Sequence, residues 1–161
     1  MGTASRDSPP LRGRRNSHGC ARRAAGCFGK WWVDLATDPL RWAIEVEGTC
    51  VGQARLHGLE EHNRRARFPI GLFAPELLGR GLGNEATRLV LRHAFETLGL
   101  HRVDLRVLAS NARAIRCYEK CGFLREGVER ESVFIDGTWF SDLMMSILED
   151  EYRRVVHLWD I

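Results

Sequence analysis

"LLGRGLGNEATRLVL", residues 77–91, decides how the rest of the chain is read. Gly79, Gly81 and Gly83 alternate with other residues, and a helix-forming run follows at once. A helix N-terminus presents N–H groups with no partner inside the helix, at the positive end of the helix dipole. Glycines just before it let the backbone approach a ligand closely and adopt positive φ. The combination suits a phosphate or diphosphate, with Asn84 as a cap or side-chain donor and Arg80 as an added positive charge. A glycine-rich turn packed tightly on a sheet would use the same residues, and the loop alone does not separate the two.

Downstream of the loop, Ala86, Val90, Leu91, Ala94, Phe95 and Leu98 fall on one side of a helix. Glu85, Arg88, Arg92 and Glu96 fall on the other, and Gly99 ends it. "HRVDLRVLA" (101–109) then reads as a strand with Val103, Leu105 and Val107 on one face. "NARAIRCYEKCG" (111–122) reads as a second helix, capped by Asn111 or Ser110 and stopped by Gly122. "REGVERESVFIDGTWFSDLMMSIL" (125–148) gives two strands turning at Asp136-Gly137. Upstream, "RWAIEVEGTCVGQARLHGL" (41–59) is a hairpin turning at Glu47-Gly48. "RRARFPIGLF" (64–73) is a further strand, in which Pro69 marks an edge or a bulge because proline cannot donate to a ladder. The order β-β-β-α-β-α-β-β implies an α+β fold with a mixed sheet.

The 161 residues suffice for one core and fall short of two ordinary domains. The apolar fraction of 44% and charged fraction of 28% are those of a soluble globular protein. No apolar run approaches the roughly 20 residues of a membrane span, and nothing near the start has the apolar core of a signal peptide. The expectation is a cytoplasmic protein with no membrane partner. Cys20, Cys27, Cys50, Cys117 and Cys121 read as ordinary thiols, since no second Cys/His pair completes a zinc site. Residues 1–30 hold seven basic side chains against Asp7 alone, so the net +3 of the chain conceals an acidic remainder. Residues 1–26 show no periodicity and contain a Pro-Pro pair, which predicts a disordered basic tail ahead of a domain over 27–161. "FGKWWVDLATDP" (28–39) reads as a short helix stopped by Pro39. A solvated tail accounts for the basic charge, and nucleic acid is not expected as a partner.

Two nucleotide-binding readings of the glycine loop fail. A Walker A loop needs Gly-Lys-Ser/Thr, and here Asn84-Glu85 follow Gly83. A dinucleotide fingerprint matches at Gly81-x-Gly83-x-x-Ala86. Its acidic residue, Asp104, falls inside a strand, the loop does not follow its strand tightly, and no room is left for a substrate domain.

A third reading uses residues far beyond the loop. "ELLGRGLGNEA" followed by "LASNARAIRCYEKCGF" and closing on "DGTWFSDLMMSILEDEY" resembles the Gcn5-related N-acetyltransferase (GNAT) superfamily, in particular its RimJ/RimL-like branch. Each motif is weak alone; the ordered set over roughly residues 40 to 152 is specific. The resemblance implies a GNAT-like, mostly antiparallel mixed sheet flanked by helices, and acetyl-CoA as cosubstrate. It implies that backbone amides of Leu78, Gly79, Arg80, Gly81, Leu82, Gly83 and Asn84 hold the coenzyme diphosphate. Gly71, Leu72 and Phe73 would pair with the pantetheine arm where two strands splay, with an N–H near Leu72 or Phe73 for the oxyanion. Asn111 would contact the coenzyme, and Tyr118 would protonate the departing thiolate. The acceptor so implied is a primary amine, either a protein N-terminus of ribosomal-protein type or a small molecule. A non-catalytic coenzyme A-binding module of the same fold is the alternative.

The chain also departs from that pattern. Leu78 stands where Gln or Arg is frequent, and Arg106 and Arg67 stand where relatives carry glutamates. Asp104, Glu76, His57 and His62 are then the candidate bases, with Asp104 on the same strand face as Arg106. The family's first strand and two helices have no clear counterpart before residue 40, which marks a shortened or atypical start, a truncation or a misassigned beginning. The apolar surface this would uncover calls for a partner such as a second copy in a homodimer.

Overall fold

The computed structural model describes residues 38–159. The tail assigned to residues 1–26 and most of the short helix ending at Pro39 lie outside the described residues. Chain order is β1 (Arg41–Val46), β2 (Thr49–Arg55), β3 (His57–Glu60), β4 (Arg65–Arg67), β5 (Ile70–Leu72), α1 (Leu82–Arg92), β6 (Arg102–Leu108), α2 (Ala112–Lys120), β7 (Leu124–Ile135), β8 (Thr138–Leu148) and α3 (Glu149–Val155). A single-turn 3-10 helix, Pro75–Leu77, precedes the glycine loop, and α1 continues through a π-helical turn, His93–Thr97, to Gly99. This is the expected α+β fold, and all but one of the strand pairings are antiparallel.

The strands form two sheets, β1-β2-β5 and β3-β4-β6-β8-β7. The single strand expected over residues 64–73 is in fact two, and they belong to different sheets. β4 pairs with β6 in parallel, while β5 pairs with β2 antiparallel. Phe68 and Pro69 make the transfer: the Phe68 N–H donates to the Asp104 carbonyl at 2.8 Å, and the Pro69 carbonyl accepts from the Arg55 N–H at 3.1 Å. Pro69 faces β2 and, lacking an N–H, meets it through its carbonyl alone. The sheet therefore splits at the residue that its sequence flagged.

Alternation sets the core. Val103, Leu105 and Val107 of β6 and Leu143, Met145 and Ile147 of β8 are all at most 8% exposed. They pack with Val90, Leu91, Ala94 and Phe95 of α1 and its π turn, and with Ile115 and Tyr118 of α2. Tyr152 of α3 stacks on Phe95 with ring centroids 4.7 Å apart. That helix was not foreseen, because "EDEYRRV" is too short and polar to show a periodicity; its start is fixed by Glu151 accepting from the Leu148 N–H at 2.9 Å. The opposite face of β6 carries Arg102, Asp104 and Arg106, so the sheet has one oily side and one charged side. No helix among the described residues is long and apolar enough to cross a membrane.

Candidate active site

The glycine loop does hold a helix N-terminus open. Gly81 is the N-cap of α1 at φ 87°, and Gly79 sits at φ 85°, both in the left-handed region that side chains resist. A Cβ at either would meet nothing within 4 Å, so conformation and not crowding requires glycine there. Gly83 differs: its Cβ would stand 3.4 Å from the Cys117 sulfur, which makes it the close-packing position. The first bond of the helix runs from the Glu85 N–H to the Gly81 carbonyl at 3.0 Å. The N–H groups of Leu82, Gly83 and Asn84 therefore precede the helical ladder and lack a partner in it. Of the two roles considered for Asn84, the cap falls to Gly81; Asn84 lies within the first turn, where its oxygens face the Cys121 thiol at 3.7 and 4.0 Å.

A cleft of about 840 Å³ runs from this loop to the gap between the sheets. Leu78, Gly79, Arg80, Gly81, Leu82, Gly83 and Asn84 line it from one side, with Leu72 from β5 and with Asn111 and Tyr118 from α2. Gly71 and Phe73 are not among its lining residues. The register explains the division. The Phe73 N–H donates to Val51 at 2.7 Å, and Gly71 faces Gln53 one pair further on, so both amides turn toward β2. Leu72 alternates with them, opposite Gly52, and its N–H and carbonyl point away from β2 into the gap. On the far side of the gap, β6 runs on past Asp104, beyond its ladder with β4. Of the two amides considered, that of Leu72 faces the gap and that of Phe73 is bonded to β2.

Asn111 is the N-cap of α2, its side-chain oxygen accepting from the Ala114 N–H at 3.1 Å. Tyr118 is 8% exposed and packs edge-on against Phe123, with ring centroids 5.8 Å apart. Burial, reinforced by the neighbouring thiols Cys117 and Cys121, pushes its phenol well above the ordinary tyrosine range. The group therefore stays protonated through the neutral range.

The walls are cationic beyond what the motifs showed. Arg80, Arg106, Arg113, Arg116 and Lys120 all line the cleft, and no carboxylate or histidine does so among the described residues. Three of them come from α2, where "ARAIRCYEK" places Arg113, Arg116 and Lys120 along one side at i, i+3 and i+7. Unpartnered helix amides and five cations suit a ligand with several phosphate groups.

None of the four expected bases lies in the cleft. Asp104 is held by Arg67 at 3.0 Å and Arg102 at 3.8 Å, in a network that continues to Glu126 and Ser146. Its place is in that ion-pair network, and it is not brought to Tyr118. Glu76 and His62 are exposed, on the 3-10 turn and the β3–β4 turn. Burial first, then Arg55 and Arg67, depresses the protonation of His57. One carboxylate paired with the lining was not foreseen: Glu129 meets the cleft residue Arg106 at 2.8 Å. It stands opposite Asp142, which is 9% exposed and in turn opposite Leu108 of the cleft. Their separation in sequence hid them, because only the pairing of β8 with both β6 and β7 brings them beside β6.

A family model described as Acetyltransferase (GNAT) domain matches residues 11–124. The match begins inside the stretch read as a tail. The chain is similar to the spermidine N(1)-acetyltransferase of Escherichia coli K12, 33% identical over 112 residues, covering 70% of this chain and 60% of that protein. It is equally similar, at 33% over 113 residues, to the Vibrio cholerae spermidine N(1)-acetyltransferase, covering 70% and 65% of the two chains. The chain thus spans about 60 to 65% of the length of these curated relatives. Among solved structures, the Vibrio cholerae spermidine N-acetyltransferase in complex with CoA and spermine superposes with a TM-score of 0.69 at 29% identity, over 78% of this chain and 76% of that one.

Proposed function

The chain belongs to the GNAT acetyltransferase family, and on that premise we propose that it transfers the acetyl group of acetyl-CoA directly to a primary amine. One observation carries the reading: a single cleft gathers the amides ahead of Asn84, the outward amide of Leu72 and the phenol of Tyr118. Acetyl-CoA supplies the activated acyl group. The amides of Leu82, Gly83 and Asn84, with Arg80 and the cations of α2, hold the phosphates; Asn111 borders the arm. The Leu72 N–H meets negative charge as it develops on the acyl oxygen. As the new C–N bond forms and the C–S bond breaks, the amine's proton passes to water, the Tyr118 hydroxyl protonates the leaving sulfur, and a proton from water restores the phenol. With no carboxylate in the lining among the described residues, Glu129, paired with Arg106, and Asp142 opposite it are the groups we assign to receive that proton through solvent.

The acceptor we favour is a small polycationic amine. The curated relatives are named for spermidine, and the solved Vibrio cholerae neighbour is a complex with CoA and spermine. A cytoplasmic site of action accords with the three free cysteines among the described residues. A homodimer accords with apolar residues on the β7–β8 hairpin: Leu124 and Val128 are more than half exposed, as are Phe134 and Trp139, whose rings lie 4.8 Å apart. Sedimentation equilibrium on the full chain and on its Trp139→Ser variant tests this, and equal, monomeric masses would discard the dimer.

The deciding experiment measures thiol release from acetyl-CoA with spermidine, spermine, N-terminal peptides and no acceptor. Release with polyamines well above the no-acceptor rate is the expected result. Release only with peptides would move the acceptor to a protein N-terminus, and coenzyme binding without release would leave a non-catalytic binding module.

A further inference from the structure

Helix α2 carries two thiols one turn apart that acetyl transfer does not use. Cys117 is half-buried on the wall of the cleft, and Cys121 is fully buried. The Cys117 sulfur stands 3.4 Å from the position a Cβ would take at Gly83, so it packs on the first turn of α1. That turn carries the positive end of the helix dipole. Arg116 and Lys120 line the same wall. The neighbouring Cys121 thiol, then the charges of Lys120 and Arg88, hold the Cys117 thiol below the usual range against the opposing effect of burial. The Cys121 thiol, beside Cys117 and buried, is pushed up and keeps its proton. Partly exposed sulfur beside a helix N-terminus and basic side chains is the setting in which cysteine is nucleophilic. Cys50 contrasts with it: it lies on β2, outside the cleft, with its thiol donating to the Gly52 carbonyl at 3.5 Å.

We infer that Cys117 is a modification site for anionic low-molecular-weight disulfides, of the class represented by glutathione disulfide, and that its modification closes the coenzyme cleft. The Cys117 thiolate attacks one sulfur of the disulfide. A protein–ligand S–S bond forms as the original S–S bond breaks, and the departing thiolate takes a proton from solvent. Cys117 is oxidised and the departing half is reduced, so no further oxidant enters. The cations that suit phosphates also suit the carboxylates of a peptide disulfide. Because the sulfur abuts Gly83, the adduct lies across the amides of Leu82 to Asn84. The consequence for binding rests on the coenzyme reading; the reactivity of Cys117 does not.

The test exposes the wild-type chain to glutathione disulfide, maps adducts by peptide mass spectrometry, and follows stabilisation by acetyl-CoA before exposure, after it, and after reduction with dithiothreitol. The expected adduct forms on Cys117 in preference to Cys50, forms more slowly with coenzyme bound, abolishes the stabilisation and releases it again on reduction. In Cys117→Ser, or Cys117→Ala if the first folds poorly, the stabilisation, whatever its starting size, no longer responds to the disulfide. An adduct on Cys50 with none on Cys117 overturns the inference, as does a Cys117 adduct that leaves the stabilisation intact. If unmodified protein shows no response to acetyl-CoA, the coenzyme reading fails, and the relative labelling of Cys117 and Cys50 still decides the thiol site.

Discussion

Replacing Tyr118 by phenylalanine removes one oxygen and little else. The ring keeps its edge contact with Phe123 at 5.8 Å and its place in the core. The stability change should stay within about 1 kcal/mol, the net worth of one hydrogen bond. The catalytic change should be far larger. Loss of a general acid costs roughly 10²–10⁴-fold in rate, or about 2.7–5.4 kcal/mol of barrier. Coenzyme binding should persist, because the phosphate contacts come from α1 and the cations. Steady-state kinetics with spermidine, alongside thermal unfolding with and without acetyl-CoA, reads all three quantities. The pH profile adds a check of sign. Burial raises this phenol above its ordinary value of 10, so the donor form prevails throughout the neutral and moderately alkaline range. Wild-type kcat should therefore show no alkaline loss due to Tyr118 below about pH 10. The buried phenol also stabilises the fold below that pH, and this contribution disappears as pH rises through the raised value. An unchanged kcat in Tyr118→Phe, with folding intact, would refute the assigned role.

A Cβ at Gly52 would stand 2.6 Å from the Gly71 carbonyl oxygen and 2.8 Å from a Leu72 methyl, so Gly52→Ala must displace β5. Thermal unfolding should show a loss of roughly 1–3 kcal/mol, the usual cost of overpacking, and the KM for acetyl-CoA should rise. Arg113→Glu with Arg116→Glu should weaken coenzyme binding and flatten its salt dependence, since both cations line the cleft; titrations at two salt concentrations measure this, and an unaltered Kd would remove the cationic wall from the account. Asp104→Asn should leave kcat within a few fold, because that carboxylate faces Arg67 and Arg102 away from the cleft; a loss on the scale of Tyr118→Phe would return Asp104 to catalysis.

What the sequence disclosed and what it hid follow from range of interaction. Hydrophobic period and turn chemistry act locally, so α1, β6, α2 and both two-residue hairpins could be read directly. Pro69 signalled an interruption in the strand, and its placement of β4 and β5 in separate sheets depends on partners that periodicity does not name. The loop glycines carried a mixed message: Gly79 and Gly81 are conformational, whereas Gly83 is a packing position against Cys117. Which amides of residues 71–73 face the gap is a matter of register with β2, invisible in the letters themselves. Glu129 and Asp142 reach the cleft's border through strand neighbours far along the chain. The ion pairs of Asp104 were hidden for the same reason, since its arginine partners come from β4 and from its own strand.

The most direct measurement is a crystal structure of the full chain with coenzyme A. The account predicts diphosphate oxygens at hydrogen-bonding distance, roughly 2.7–3.2 Å, from the N–H groups of Leu82, Gly83 and Asn84, with the sulfur beside the Tyr118 hydroxyl. A diphosphate seated elsewhere, or a sulfur on the far side of the sheet from Tyr118, would contradict it.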